Sequence, residues 1–137
     1  MTSTTTITFK APIEKVWQGL TDPAMVKQYF FGTDLKSDFK VGSRITFSGE
    51  WDGKTYEDGG DILEIDAPRL LKYSYWSSMS GTENVPENYN DITYRLNEED
   101  GITTLVITQE GVKSQEAAEH SEGNWTYIFD GLKKMIE

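Results

Sequence analysis

The chain has 137 residues, no cysteine and one histidine, which excludes disulfides, thiolate chemistry and the usual multi-histidine metal centres. With 23 acidic against 13 basic residues and a formal net charge of −10, it would repel a phosphate backbone, so nucleic acid is not an expected partner. No apolar run approaches the roughly 20 residues of a membrane span, and the opening "MTSTTTITF" lacks the basic flank and apolar stretch of a signal peptide, so a cytoplasmic location without membrane insertion is expected.

The length suits one domain over residues 1–137, and no repeat, linker or break in composition divides it. Leu, Ile, Val and Phe number only 30, but 17 aromatic residues compensate. The expected core is therefore thin in aliphatics and rich in rings.

Residues 4–10, "TTTITFK", are β-branched and place Ile7 and Phe9 on one side, predicting a first strand. In "APIEKVWQGLTDP", Pro12 suits the first turn of a helix. Ile13, Val16, Trp17 and Leu20 follow at helical spacing, and Asp22-Pro23 stops it. Asp22 can then cap a second short helix, from Pro23 to about Tyr29, ending before Gly32.

From there to Gly111 the period changes to two. "RITFSGEW" sets Ile45, Phe47 and Trp51 against Thr46, Ser48 and Glu50, and "LLKYSYW" sets Leu71, Tyr73 and Tyr75 against Lys72 and Ser74. "DITYRLN" sets Ile92, Tyr94 and Leu96 against Thr93 and Arg95, and "TTLVITQ" sets Leu105 and Ile107 against Thr104, Val106 and Thr108. Such alternation marks antiparallel strands with one wet and one buried face. Asp52-Gly53 and Asp100-Gly101 are hairpin signals. Between Thr55 and Asp66 the phase is not readable: Gly59-Gly60 permits a bulge, and the direction of Glu64 stays open. The stretch from Ser77 to Asp91 reads as a solvated turn, long enough for a hairpin connection to serve as a lid.

The last element is helical. Ala118, Ser121, Trp125, Ile128, Phe129, Leu132, Met135 and Ile136 share one face, Ser114 is a fair N-cap, and acids crowd the first turns as lysines do the last. A helix of about 22 residues would span roughly 33 Å. The order strand, two short helices, about six antiparallel strands and one long amphipathic helix predicts an α+β helix-grip fold. In it a curved antiparallel sheet wraps around the closing helix, the only element long enough to cover its apolar face.

Together these stretches resemble the START-like (SRPBCC, Bet v allergen-type) superfamily, and within it the activator of heat-shock-protein-90 ATPase homologue-like family. The resemblance lies in "APIEKVWQGLTDP", "YFFG", "DFKVGSRITF", "GDILEIDAPRLLKYSYW", "ITYRL", "GITTLVITQEG" and "NWTYIFDGLKKMIE", in that order. Departures fall at Tyr29-Phe30, Gly42-Ser43 and Asn124-Trp125, and the "EIDAPRL" turn is one residue short. The resemblance implies an internal pocket between helix and sheet, with Tyr29 and Asn124 near it. It does not imply one reaction, because members include lipid and polyketide binders, cyclases, hydrolases and a co-chaperone domain.

The inner face of the closing helix is bulky from Trp125 onward but small before it, with Ala117, Ala118 and Ser121 and with Asn124 at its edge. Beneath those turns lies either a ligand cavity or a core filled by swung-in rings. Trp51, Tyr73, Tyr75 and Tyr94 are its expected walls, joined by Tyr29, Ser121, Asn124 and Trp125 as candidate ligand-binding residues. No catalytic residue, metal ligand or cofactor is expected. His120 falls toward solvent, and no "GxSxG" elbow exists. Asp58, Asp61 or Glu64 could bring a carboxylate into the pocket. The expected function is binding of a small hydrophobic, aromatic or lipid-like molecule. The alternatives are a module that docks on a chaperone ATPase and a weak acid–base cyclase or hydrolase with Asp58 or Glu64 as base.

Overall fold

The computed structural model of the chain describes residues 2–30, 32–51, 53–77, 83–112 and 114–137, the side chain of Trp51 lying outside that set. The elements run β1 (Ser3–Phe9), α1 (Ile13–Thr21), α2 (Pro23–Tyr29), β2 (Asp34–Ser37), β3 (Arg44–Trp51), β4 (Lys54–Asp66) and β5 (Leu70–Tyr75). After one 3₁₀ turn at Pro86–Asn88 come β6 (Asn90–Glu99), β7 (Ile102–Gln109) and α3 (Gln115–Ile136). The seven strands form one antiparallel sheet in the order β1-β7-β6-β5-β4-β3-β2. Because β1 and β2 are the two edges, α1 and α2 carry the chain from one side of the sheet to the other. This is the expected α+β helix-grip architecture, with β2 as the strand that alternation did not single out.

Local chemistry explains the boundaries. The Asp22 carboxylate accepts the Ala24 N–H at 3.0 Å and starts α2, and the Ser114 hydroxyl accepts the Ala117 N–H at 3.1 Å and starts α3. Pro12 has no capping side chain, so the start of α1 is capped from afar: Glu98, on β6, accepts the Ile13 N–H at 2.6 Å. In the β6–β7 hairpin Asp100 (φ 55°) and Gly101 (φ 79°) both take positive φ, as a two-residue type I′ turn requires.

β4 is where periodicity was silent, and its pairing shows why. Its first part, Lys54 to Asp61, pairs with β3, whereas Ile62 and Glu64 to Asp66 pair with β5, with the register shift between Ile62 and Glu64 and not at the glycines. Gly59 and Gly60 are needed instead for close backbone approach. A Cβ on Gly59 would lie 2.0 Å from the Ile45 carbonyl oxygen, and one on Gly60 would lie 2.1 Å from that of Ser74. A strand that changes neighbours at a bend cannot keep one alternation of faces. Glu64 is exposed.

α3 crosses the concave face. Its C-terminal half packs solidly, with Ile128, Phe129, Leu132 and Ile136 buried together with Phe9, Val16, Leu20 and Leu105. Two glycines let the short helices approach it. A Cβ on Gly19 would stand 2.6 Å from Leu132 Cδ1, and one on Gly131 would stand 3.0 Å from the Tyr29 Cβ.

Candidate functional site

Under the first turns of α3 the packing changes. Ala118 is buried, but Ser121 is half-buried and Asn124 exposed, and below these two lies a cavity of about 350 Å³. Its roof is Ser121, Asn124, Trp125 and Ile128 from α3. Its floor is Phe47 from β3, Tyr56 and Asp58 from β4, Tyr73 and Tyr75 from β5, Ile92 from β6 and Gln109 from β7, and Phe30 and Thr33 close one end. Ser121 and Asn124 therefore sit over unfilled space, while Ala117 and Ala118 are not part of its lining.

The rings are held in place by one another. Tyr73 meets Tyr94 edge-on at 5.6 Å and lies 5.8 Å from Phe47, while Trp125 stacks on Phe129 at 5.8 Å with planes 9° apart. Their polar ends are paired as well. The Tyr73 and Tyr94 hydroxyls share a bond of 2.8 Å, the Trp125 indole N–H donates to Gln109 Oε1 at 3.3 Å, and the Tyr56 and Thr33 hydroxyls meet at 2.6 Å. Rings engaged in this way cannot swing inward without breaking buried bonds, which keeps the space open.

One corner carries charge. The Tyr75 hydroxyl donates to Asp58 Oδ2 at 3.1 Å, and the Ser77 hydroxyl donates to Asp58 Oδ1 at 3.0 Å. Burial, and then the Asp58 carboxylate, push the Tyr75 phenol well above its ordinary value. Burial likewise raises Tyr29, Tyr73 and Tyr94, so all four phenols are neutral at physiological pH.

Of the eight candidate residues, Tyr73, Tyr75, Ser121, Asn124 and Trp125 line the cavity. Tyr94 stands behind Tyr73 and fixes its hydroxyl. Tyr29 is turned away: its hydroxyl donates to the Gly19 carbonyl at 2.7 Å and its ring packs on Phe129, tying α2 to α1 and α3. The side chain of Trp51 and the middle of the expected lid, residues 78–82, lie outside the described residues. Among the three carboxylates considered, Asp58 reaches the cavity, whereas Glu64 is exposed at the far end of β4 and is removed as a base. His120 is exposed. Asp58 is the only carboxylate among the described lining residues, and no second acid or histidine stands beside it there. Among the described residues no group of three or more His, Cys, Asp or Glu could hold a metal, and no helix is long and apolar enough to cross a membrane.

Sequence reasoning missed Phe30, Phe47, Tyr56, Ile92, Gln109 and Thr33 as lining residues. Phe47 and Ile92 were legible as inward positions of their strands. Thr33 and Tyr56 were not, because they meet across β3, where Gly49 has no side chain and the Tyr56 ring lies over it.

The solution structure of ChR145 from Cytophaga hutchinsonii is 39% identical and superposes with a TM-score of 0.85, over 98% of this chain and 92% of that one. The Aha1 dimer from Colwellia psychrerythraea is 19% identical with a TM-score of 0.76, over 100% and 96%. DynU16, a protein of the dynemicin biosynthetic locus, is 17% identical with a TM-score of 0.77, over 97% of this chain and 46% of the other. The last two likenesses speak for the fold alone. No curated protein matches in sequence. The family model for "Activator of Hsp90 ATPase homolog 1-like protein" matches residues 10–137. A match of that extent runs from the end of β1 through the closing helix, and with it the chain belongs to that family.

Proposed function

We propose that the protein is a single-domain binder of a small, predominantly apolar molecule, aromatic or lipid-like and bearing oxygen or nitrogen, held between α3 and the sheet. The observation that carries this reading is the cavity of about 350 Å³ under Ser121 and Asn124. It is walled by rings, Ile92 and Ile128, with a few polar groups in its lining, the composition typical of small-molecule sites. Titrating flavonoids, sterols, fatty acids and arylalkyl amines while following backbone amide shifts tests it. The expected result is saturable shifts confined to residues 121–128 and to β5. Absence of any such binder at tens of micromolar refutes it.

A second reading, a module that docks on a chaperone ATPase, is supported by the family description and by the formal net charge of −10, which suits a basic partner patch. Such association would weaken with salt. A pull-down at low ionic strength that returns no chaperone ATPase removes it.

A further inference from the structure

We propose that the cavity holds its ligand in one orientation. A neutral hydrogen-bond acceptor, such as a ketone, ester or amide oxygen, is received by Gln109 at the β7 end, and the apolar body lies along Ile92 and Tyr73 toward Phe47. The inference rests on the ligand-binding reading above and adds to it the chemistry and position of the ligand's polar group.

The lining crosses five neighbouring strands. Gln109 on β7 pairs with Ile92 on β6, Ile92 pairs with Tyr73 on β5, and β4 and then Phe47 on β3 follow. Four inter-strand spacings of ~4.8 Å put the two ends roughly 19 Å apart along the sheet. Toward Phe47 the polar groups engage one another: the Tyr75 and Ser77 hydroxyls donate to Asp58, and the Tyr56 hydroxyl meets that of Thr33. In the middle, the Tyr73 hydroxyl is paired with that of Tyr94.

The β7 end is different. The Trp125 indole only donates, so the Gln109 oxygen is the atom that faces it, at 3.3 Å. That bond fixes which way round the half-buried amide sits. It leaves Gln109 Nε2, which only donates, without a partner among the described residues. The half-buried Ser121 hydroxyl in the roof likewise has no partner there, whereas Asn124 at the rim is exposed and water serves it. Directly opposite Gln109 on β1 stands Ser3, 2% exposed, with Thr5 next along the same face, 6% exposed; neither hydroxyl has a partner. Hydroxyls stranded at that depth are uncommon. This corner therefore keeps polar groups that the fold does not satisfy, among them an NH2 that only an acceptor completes. A purely apolar ligand covering it would strand those N–H groups, and a ligand oxygen satisfies them. A carboxylate fits less well. No Lys, Arg or His stands among the described lining residues to offset the loss of its hydration, and the net charge of −10 opposes its approach.

The test uses three ligands of nearly one shape on the intact protein at neutral pH: 2-acetylnaphthalene, 2-isopropenylnaphthalene, in which CH2 replaces the ketone oxygen, and 2-naphthoate. With the ketone bound, NOEs are expected from its methyl group to the Gln109 side-chain NH2, and 2-naphthoate is expected to bind more weakly than the ketone. Gln109→Glu keeps an oxygen for the Trp125 indole and replaces the donor by a second oxygen. It is expected to lower the affinity of the ketone relative to the hydrocarbon by about tenfold. Three results overturn the proposal and leave the binding reading standing: methyl NOEs at Phe47 in place of Gln109, a ketone-to-hydrocarbon ratio unchanged by Gln109→Glu, or 2-naphthoate binding tighter than the ketone. If none of the three binds, the proposal falls, and the binding reading falls with it when the broader library above also fails. The NOEs on the unaltered protein decide the orientation even should the variant not fold.

Discussion

Removing one hydroxyl from the Tyr73–Tyr94 pair should cost more than removing both. The two oxygens are 2.8 Å apart, and the residues are 1% and 4% exposed. Tyr73→Phe keeps the ring and its edge-on contact with Tyr94 at 5.6 Å. It nevertheless leaves the Tyr94 hydroxyl buried without this partner, a loss of about 1–3 kcal/mol. Tyr94→Phe does the same to Tyr73. The double variant buries two apolar ring ends, strands neither hydroxyl, and should cost no more than about 1 kcal/mol in total. The predicted coupling is therefore at least about 1 kcal/mol, with the double variant more stable than the sum of the singles implies. Urea unfolding of the four proteins, followed by tryptophan fluorescence at one pH, measures it. In thermal melts each single variant should fall by about 3–10 °C. Additive losses, or a double variant less stable than either single, would show that the pair is not what keeps these rings in place.

Further outcomes follow from other contacts. Glu98→Ala removes the carboxylate that caps α1 through the Ile13 N–H at 2.6 Å and should cost about 1 kcal/mol in urea unfolding, with Glu98→Gln recovering part of it. Ser121→Trp should fill the cavity beneath α3 and abolish amide shifts from any cavity ligand, while the melting temperature stays level or rises, as expected when apolar surface enters unfilled space. Gly60→Ala would drive a Cβ to 2.1 Å from the Ser74 carbonyl oxygen and should cost roughly 2 kcal/mol or more, because backbone on both sides must move. Burial raises the phenols of Tyr29, Tyr73, Tyr75 and Tyr94. The folded chain therefore keeps protons that the unfolded chain releases near pH 10, and stability from these groups is whole below about pH 10 and falls above it. Urea midpoints between about pH 9 and 11 should decline, and less steeply for the Tyr73→Phe/Tyr94→Phe variant.

Much of the architecture was legible from residue order, because it follows from interactions a few positions apart. The 3.6 spacing over 115–136, the Ser114 and Asp22 caps and the Asp100-Gly101 turn all act locally, and each appears where those residues place it. The alternation along β3, β5, β6 and β7 assigned inner and outer faces correctly for Phe47, Tyr73, Ile92, Tyr94 and Leu105, since one buried face imposes a period of two. Even the gap beneath α3 was foreshadowed by Ser121 and Asn124, though whether rings would close it stayed open.

What tertiary structure alone decided is how the polar ends of those residues pair. Tyr29 and Tyr75 were both candidate ligand-binding residues, yet one hydroxyl is tied to the Gly19 carbonyl behind the core and the other to Asp58 in the cavity. Asp58 and Glu64 lie on the same strand, but the register of β4 shifts between Ile62 and Glu64 as its pairing passes from β3 to β5, which leaves Asp58 lining the cavity and Glu64 exposed. Such outcomes depend on which distant backbone comes near, and local periodicity carries no information about that.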